Sequence, residues 1–242
     1  MLTLLLVGTV LLNRTLSTVH HITPVQPNAL AYLATFDGLE QDWQLAQGRL
    51  RTEIVDEDRL RITVNEDAAF PYAVAQPHFS DFDLTVEATA VEGSDENAYG
   101  LVFRLRTQGN TVTADDNFYV FTVSSDGFYR VWRRVAIVEK VLSGWIPSDA
   151  ILQGLGVTNR LRVIAKGDSF RFFVNNQPLQ LCIPNDPQAE STFTRSGCVE
   201  GTMQDVLIDP TIPNGQIALG AQTLGIPGWV VDFDNLLLYG PE

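Results

Sequence analysis

The sequence predicts an all-β protein, a two-sheet antiparallel sandwich of the jelly-roll type. Three observations carry that reading. Nearly every segment beyond residue 28 alternates apolar and polar side chains with a period of two. Short runs of Gly, Asn, Asp and Ser separate these segments at the spacing of turns, and no stretch holds a helical period over three turns. Half-buried faces of this kind must cover one another, which gives two packed sheets. At 242 residues the chain is ample for a core, and it is read as one domain over about 29–242.

The N-terminus begins MLTLLLVGTVLLNRTLSTVHHITPVQPN. Residues 2–12 are almost wholly apolar, too short a run for a spanning helix and the right length for the hydrophobic region of an export signal. A positive flank and a small-x-small cleavage site are missing, so residues 1–28 read as an export signal or the remnant of a membrane anchor, followed by a linker. A buried strand is the structural alternative. Membrane contact is expected only through this segment.

The first strand of the sandwich is expected near Leu33 to Phe36, beside the last, near Val230 to Tyr239. RLRTEIVDEDRLRITV places Leu60, Ile62 and Val64 on one face after an acidic turn. FDLTVEATAV alternates Phe82, Leu84, Val86 and Ala88, and YGLVFRLR sets Leu101, Phe103 and Leu105 against Val102, Arg104 and Arg106.

The hairpin NFYVFTVSSDGFYRVWRR, residues 117–134, has two possible registers. A two-residue Asp126-Gly127 loop mixes Tyr119, Phe121 and Val123 with Arg130, Trp132 and Arg134. A three-residue loop, Ser125-Asp126-Gly127, with Gly127 in the left-handed conformation of a G1 bulge, flips the parity of the second strand. Tyr119, Phe121, Val123, Tyr129, Val131 and Arg133 then share one face, and Phe118, Val120, Thr122, Arg130, Trp132 and Arg134 the other. Only this register yields one clearly apolar side, so it is the one predicted. The second side is expected to be wetter.

Farther on, NRLRVIAKGDSFRFFVNNQPL reads as two strands about Lys166-Gly167-Asp168, with Leu161, Val163, Phe170, Phe172 and Val174 in the core and a turn at Asn175-Asn176. Cys182 and Cys198, the two cysteines of the chain, bracket a Pro-, Ser- and Thr-rich loop and are expected to form a disulfide in an oxidising compartment. Closing a loop of that length is worth about 3 kcal/mol in the chain-entropy model. The loop sits in an insertion spanning about 175–214. GQIALGAQT and WVVDFDNLLLY supply two more strands.

Several of these segments together resemble the concanavalin A-like lectin and glucanase superfamily. They are ATFDGLEQDWQLAQG (34–48), YGLVFR (99–104), NFYVFTVSSDGFYRVWR (117–133), the Gly144-Trp145 pair, TNRLRVIAKGDSFRFFVNNQPL (158–179), GQIALGAQT (215–223) and VDFDNLLLY (231–239). Within it the chain is most similar to laminin G-like domains and to the family labelled 3-keto-disaccharide hydrolase. The resemblance implies a curved sandwich whose concave sheet binds a saccharide, and a convex calcium site at Gly38 and Asp234, with Asp37 and Gly48 nearby.

Composition narrows the partners. A net charge of −13 argues against nucleic acid or an anionic membrane surface, because phosphate binding needs a basic footprint. Glycoside hydrolysis uses two carboxylates flanking the scissile bond. The E-x-D-x-x-E pattern of the related glucanases is absent, and the acidic clusters at 55–59, 64–67 and 91–97 lie between strands, where they read as solvated turns. No G-x-S-x-G elbow is present either. No catalytic residue identifies itself. The expected function is therefore non-catalytic carbohydrate binding at the cell surface or outside the cell, with Arg104, Arg130, Trp132 and Trp145 contacting a saccharide or cell-wall polysaccharide. An enzyme of the hydrolase type and an adhesion domain that binds a surface protein are the alternatives.

Overall fold

The computed structural model describes residues 21–37, 42–56, 58–107 and 116–242. Residues 1–20, the apolar part of the expected export segment, and Gly38 of the expected calcium pair lie outside the described residues. All regular structure among the described residues is β. In chain order the strands are β1 (Leu30–Ala34), β2 (Trp43–Gln44), β3 (Leu50–Val55), β4 (Arg59–Val64), β5 (Tyr72–Phe79), β6 (Phe82–Glu92) and β7 (Ala98–Arg106). The central hairpin and its neighbours follow: β8 (Asn117–Ser124), β9 (Phe128–Val135), β10 (Val138–Pro147), β11 (Thr158–Lys166), β12 (Ser169–Val174) and β13 (Gln177–Pro178). The remainder are β14 (Leu181–Pro184), β15 (Thr192–Thr194), β16 (Gly197–Val199), β17 (Gly201–Gln204), β18 (Leu207–Ile208), β19 (Gly215–Gln222) and β20 (Trp229–Tyr239).

Two large antiparallel sheets form the sandwich. One runs β13-β12-β11-β6-β20-β4-β3, with β1 added to β20 and β18 to β12; the other runs β10-β9-β8-β7-β19-β5-β2. The first and last large-sheet strands pair as expected, Leu33 opposite Leu237 and Ala34 opposite Leu236. Between the sheets, Leu60, Ile62, Phe82, Leu84, Leu161, Val163 and Phe170 from one layer meet Tyr99, Leu101, Phe103, Tyr119 and Phe121 from the other, all fully buried. Rings cross the interface: Phe103 packs on Phe170 at 5.4 Å and Phe121 on Phe172 at 5.1 Å, while Phe103 stacks on its neighbour in the same sheet, Tyr119, at 5.3 Å.

Turn chemistry sets the registers. In the β8–β9 hairpin Val123 pairs with Tyr129 and Thr122 with Arg130, leaving the three-residue Ser125-Asp126-Gly127 loop. Gly127 has φ 98°, in the left-handed region that a side chain resists, and its N–H donates to the Ser124 carbonyl at 3.2 Å. Asn175 and Asn176, at φ 49° and 65°, make the two-residue turn between β12 and β13.

One alternation fails. The pattern in YGLVFRLR places Arg104 with Val102, but the β7 ladder slips between Phe103 and Arg106, and Arg104 takes φ 51°. An extra residue in the ladder reverses the parity beyond it. Arg104 therefore turns inward to 1% exposure, and Leu105 joins Val102 on the opposite side.

The cysteine insertion is two small ribbons, β14–β17 and β15–β16, tied by the Cys182–Cys198 disulfide. It packs against β10: the Ser143 hydroxyl accepts from the Cys182 N–H at 3.1 Å, and the Ser191 hydroxyl accepts from the Gly144 N–H at 3.0 Å and donates to the Cys182 carbonyl at 2.6 Å.

Candidate functional site

The outer face of the seven-stranded sheet is the face turned away from the main core. Cross-strand pairing lays out one row of it as Arg130, Thr122, Gly100, Gly220 and Tyr72, and the next as Val141, Trp132, Val120, Val102, Ala218 and Val74. The hairpin face that the sequence reading expected to be wet is in large part dry. Phe118, Val120, Trp132, Tyr72, Val102, Leu105, Val74 and Ala218 make a second apolar cluster there.

Phe70 closes this cluster. It sits on the segment joining β4 to β5 and rests 5.4 Å from the Trp132 ring, 5.8 Å from Tyr72 and 6.5 Å from Phe118. The strap carrying it is pinned by Thr223, whose N–H donates to the Ala69 carbonyl at 3.0 Å and whose hydroxyl accepts from the Ala69 N–H at 3.0 Å and donates to the Glu66 carbonyl at 2.7 Å. Gly220 makes room for the ring: a Cβ there would stand 2.7 Å from it. Sequence reasoning passed over Phe70 because it follows an acidic turn; the Phe-Pro step after Glu66-Asp67 is the one local signal.

The four residues expected to bind a saccharide therefore divide three ways. Trp132 is 2% exposed, and no ring of a ligand can lie on it while Phe70 is in place. Arg104 is in the interior, donating to the carbonyls of Ile212 and Ser80 at 2.9 Å each and of Gly167 at 2.5 Å, with its guanidinium carbon 4.7 Å above the Phe170 ring. It braces three segments and has no surface to offer.

Arg130 and Trp145 come together. Both are half-buried, and the Arg130 guanidinium lies 5.9 Å over the Trp145 ring. The Arg130 guanidinium forms no hydrogen bond or ion pair among the described residues. Burial pulls its guanidinium below the ordinary arginine range, while Glu139 and Glu190 pull it back up. Beside it, the Thr122 hydroxyl has no hydrogen-bond partner among the described residues, and neither do Trp132 Nε1, Arg134 Nε and Gln222 Oε1 on the same face. No carboxylate occupies an outer-face position of β7, β8 or β19 among the described residues, where Ala98, Gly100, Val102, Thr122, Ser124, Ala218, Gly220 and Gln222 stand.

At the expected calcium position, Asp234 accepts from the Asn235 N–H at 2.6 Å, and the Asn235 side-chain amide lies between Asp234 and Glu87, at 3.2 and 3.0 Å. An amide nitrogen between two carboxylates occupies the oxygens that a cation needs, and burial raises the Asp234 pKa. No group of three or more His, Cys, Asp or Glu among the described residues has a metal-binding arrangement.

No family model matches the sequence, and no curated protein matches it. Solved structures do. The carbohydrate-binding module CBM66 from Bacillus subtilis is similar at 13% identity and TM-score 0.57, covering 90% of this chain and 100% of that one. A protein of unknown function with a galectin-like fold, also from Bacillus subtilis, reaches TM-score 0.60 at 11% identity over 90% and 98% of the two chains. A β-glucanase from Bacillus licheniformis reaches 0.53 at 8% identity over 87% and 98%. At such identities the likeness is one of fold, and the fold is the concanavalin A-like jelly roll.

Proposed function

We propose that this protein is a non-catalytic carbohydrate-binding domain, exported from the cytoplasm, that holds a neutral saccharide at Arg130 and Trp145. The observation that carries the reading is the half-buried Arg130 guanidinium, stacked over Trp145 without an acceptor among the described residues. A sugar matches that pair: its C–H face lies on the indole, and its hydroxyl oxygens accept from the guanidinium fork. Glu139 and Glu190, which act on Arg130 electrostatically, favour a neutral polyol over an anion. The solved structures of this fold include one titled a carbohydrate-binding module, which supports the ligand class. The disulfide supports an oxidising compartment.

Binding is favoured over two-carboxylate hydrolysis because the outer-face positions of the three central strands carry small, apolar, hydroxyl and amide side chains. The test is calorimetric titration of neutral oligosaccharides of glucose, galactose and N-acetylglucosamine, with chromatography of the same mixtures for cleavage. The expected result is saturable binding without turnover, weakened about tenfold or more by Trp145→Ala or Arg130→Ala, a loss of about 1.4 kcal/mol. Turnover, absence of binding, or equal binding by the variants would overturn the proposal.

A further inference from the structure

A second cleft lies away from Arg130 and Trp145, at the edge of the sandwich, where the disulfide-tied insertion and the segment returning through β18 meet β9 and β10. Its volume is about 360 Å³. Leu142, Ile183, Leu207 and Ile208 line its apolar walls, and Arg133, Lys140 and Asp209 are its charged groups. Apolar walls with a few convergent polar groups characterise small-ligand sites, and this volume suits a small one.

The charges do not cancel. Arg133 and Lys140 stand directly opposite each other on the antiparallel β9–β10 ladder, an arrangement that repels. Asp209, 5% exposed, is the counter-ion to one of them: its carboxylate takes Arg133 Nη1 and the Tyr119 hydroxyl, the latter at 3.0 Å, and the Thr211 N–H at 3.0 Å. Among the described residues Lys140 bonds only a neutral acceptor, the Pro187 carbonyl. Glu139, its neighbour on β10, pairs across the ladder with Arg134 and so takes the opposite face. Two cations and one anion leave the cleft one positive charge in excess, in a chain whose net charge is −13. Ile208, 63% exposed at the mouth, is a large apolar side chain with no polar task.

We infer that this cleft binds a small organic acid, an apolar body bearing a single carboxylate. The carboxylate pairs with Lys140 and the free edge of the Arg133 guanidinium, and the apolar body lies along Ile183, Leu207 and Ile208. This site is independent of the saccharide reading, and neither result decides the other.

The test uses octanoate, with octylammonium as the same chain of opposite charge, titrated calorimetrically into the full protein. Octanoate is expected to bind saturably, about tenfold or more tighter than octylammonium. Ile208→Asp, at an exposed position and with its circular dichroism spectrum checked against wild type, is expected to weaken octanoate by about tenfold or more. Ile226→Asp, at an exposed position outside the cleft, is expected to bind as wild type. Equal affinity for the two chains, no saturable binding of octanoate, or an Ile208→Asp protein that binds like wild type would each overturn the inference.

Discussion

Replacing Arg104 by Met removes the guanidinium that joins the loop at Ser80, the turn at Gly167 and the segment at Ile212. Three charge-assisted hydrogen bonds at about 1.5 kcal/mol net each sum to about 4–5 kcal/mol. Two opposing effects reduce this figure. Burial already strains the charge, as the lowered Arg104 pKa indicates, and Met avoids that desolvation. The Ser80 and Gly167 carbonyls also belong to residues that water reaches, whereas Ile212 is 3% exposed and its carbonyl would be left dry. Because all three acceptors are backbone groups, they stay behind when the donor goes, and the expected loss is about 3 kcal/mol. Arg104→Lys should lose nearly as much, since a point ammonium does not span three acceptors on three segments. The assay is urea unfolding followed by tryptophan fluorescence. With m near 3 kcal/mol/M, the midpoint should fall by about 1 M at unchanged m. A fall of less than about 0.3 M for Arg104→Met would refute the bracing role, because it would mean that the freed carbonyls are hydrated without cost.

Two further outcomes are expected. Gly220→Val puts a side chain where the Phe70 ring lies, at 2.7 Å for its Cβ, so the strap must lift; acrylamide should then quench an additional tryptophan, Trp132, and stability should fall by about 1–3 kcal/mol. A wild-type quenching curve would show that Phe70 does not cover the indole. Tyr99 and Tyr129 are both pushed up to about 12 by burial, from 10.0. Both folded-state values lie above the unfolded one, so this stability is fully present below pH 10 and lost as pH rises through 12, by about 2–3 kcal/mol for each group. Urea midpoints at pH 9 and pH 11.5 measure the loss, and Tyr129→Phe should flatten the profile; an unchanged profile in that variant would remove Tyr129 as a cause.

The strands, their turns and the crosslink were legible in the residues themselves, because each depends on neighbours in sequence. The 117–134 hairpin is the clearest case: parity allowed one register with a coherent apolar side, and that side faces the main core. The cysteine pair was equally plain, since two cysteines bracketing one irregular loop have few other arrangements. The candidate site was only half legible. Arg130 and Trp145 share a surface because β9 and β10 are adjacent, a local relation. Arg104 and Trp132 were expected beside them and are elsewhere for reasons that no local pattern carries.

A bulge in β7 has no sequence mark of its own, and a single extra residue there exchanged the faces of Arg104 and Leu105. What covers Trp132 is Phe70, 62 positions away in the chain, seated over a glycine 150 positions farther on from Phe70. Periodicity states that a side chain leaves the sheet on a given side; whether it then meets water or another ring depends on which distant segment is folded over it. The sequence by itself determined the pleat and the register. Tertiary packing decided which of the outward-facing residues remain free to meet a ligand, because burial is a property of the assembled surface and not of the strand.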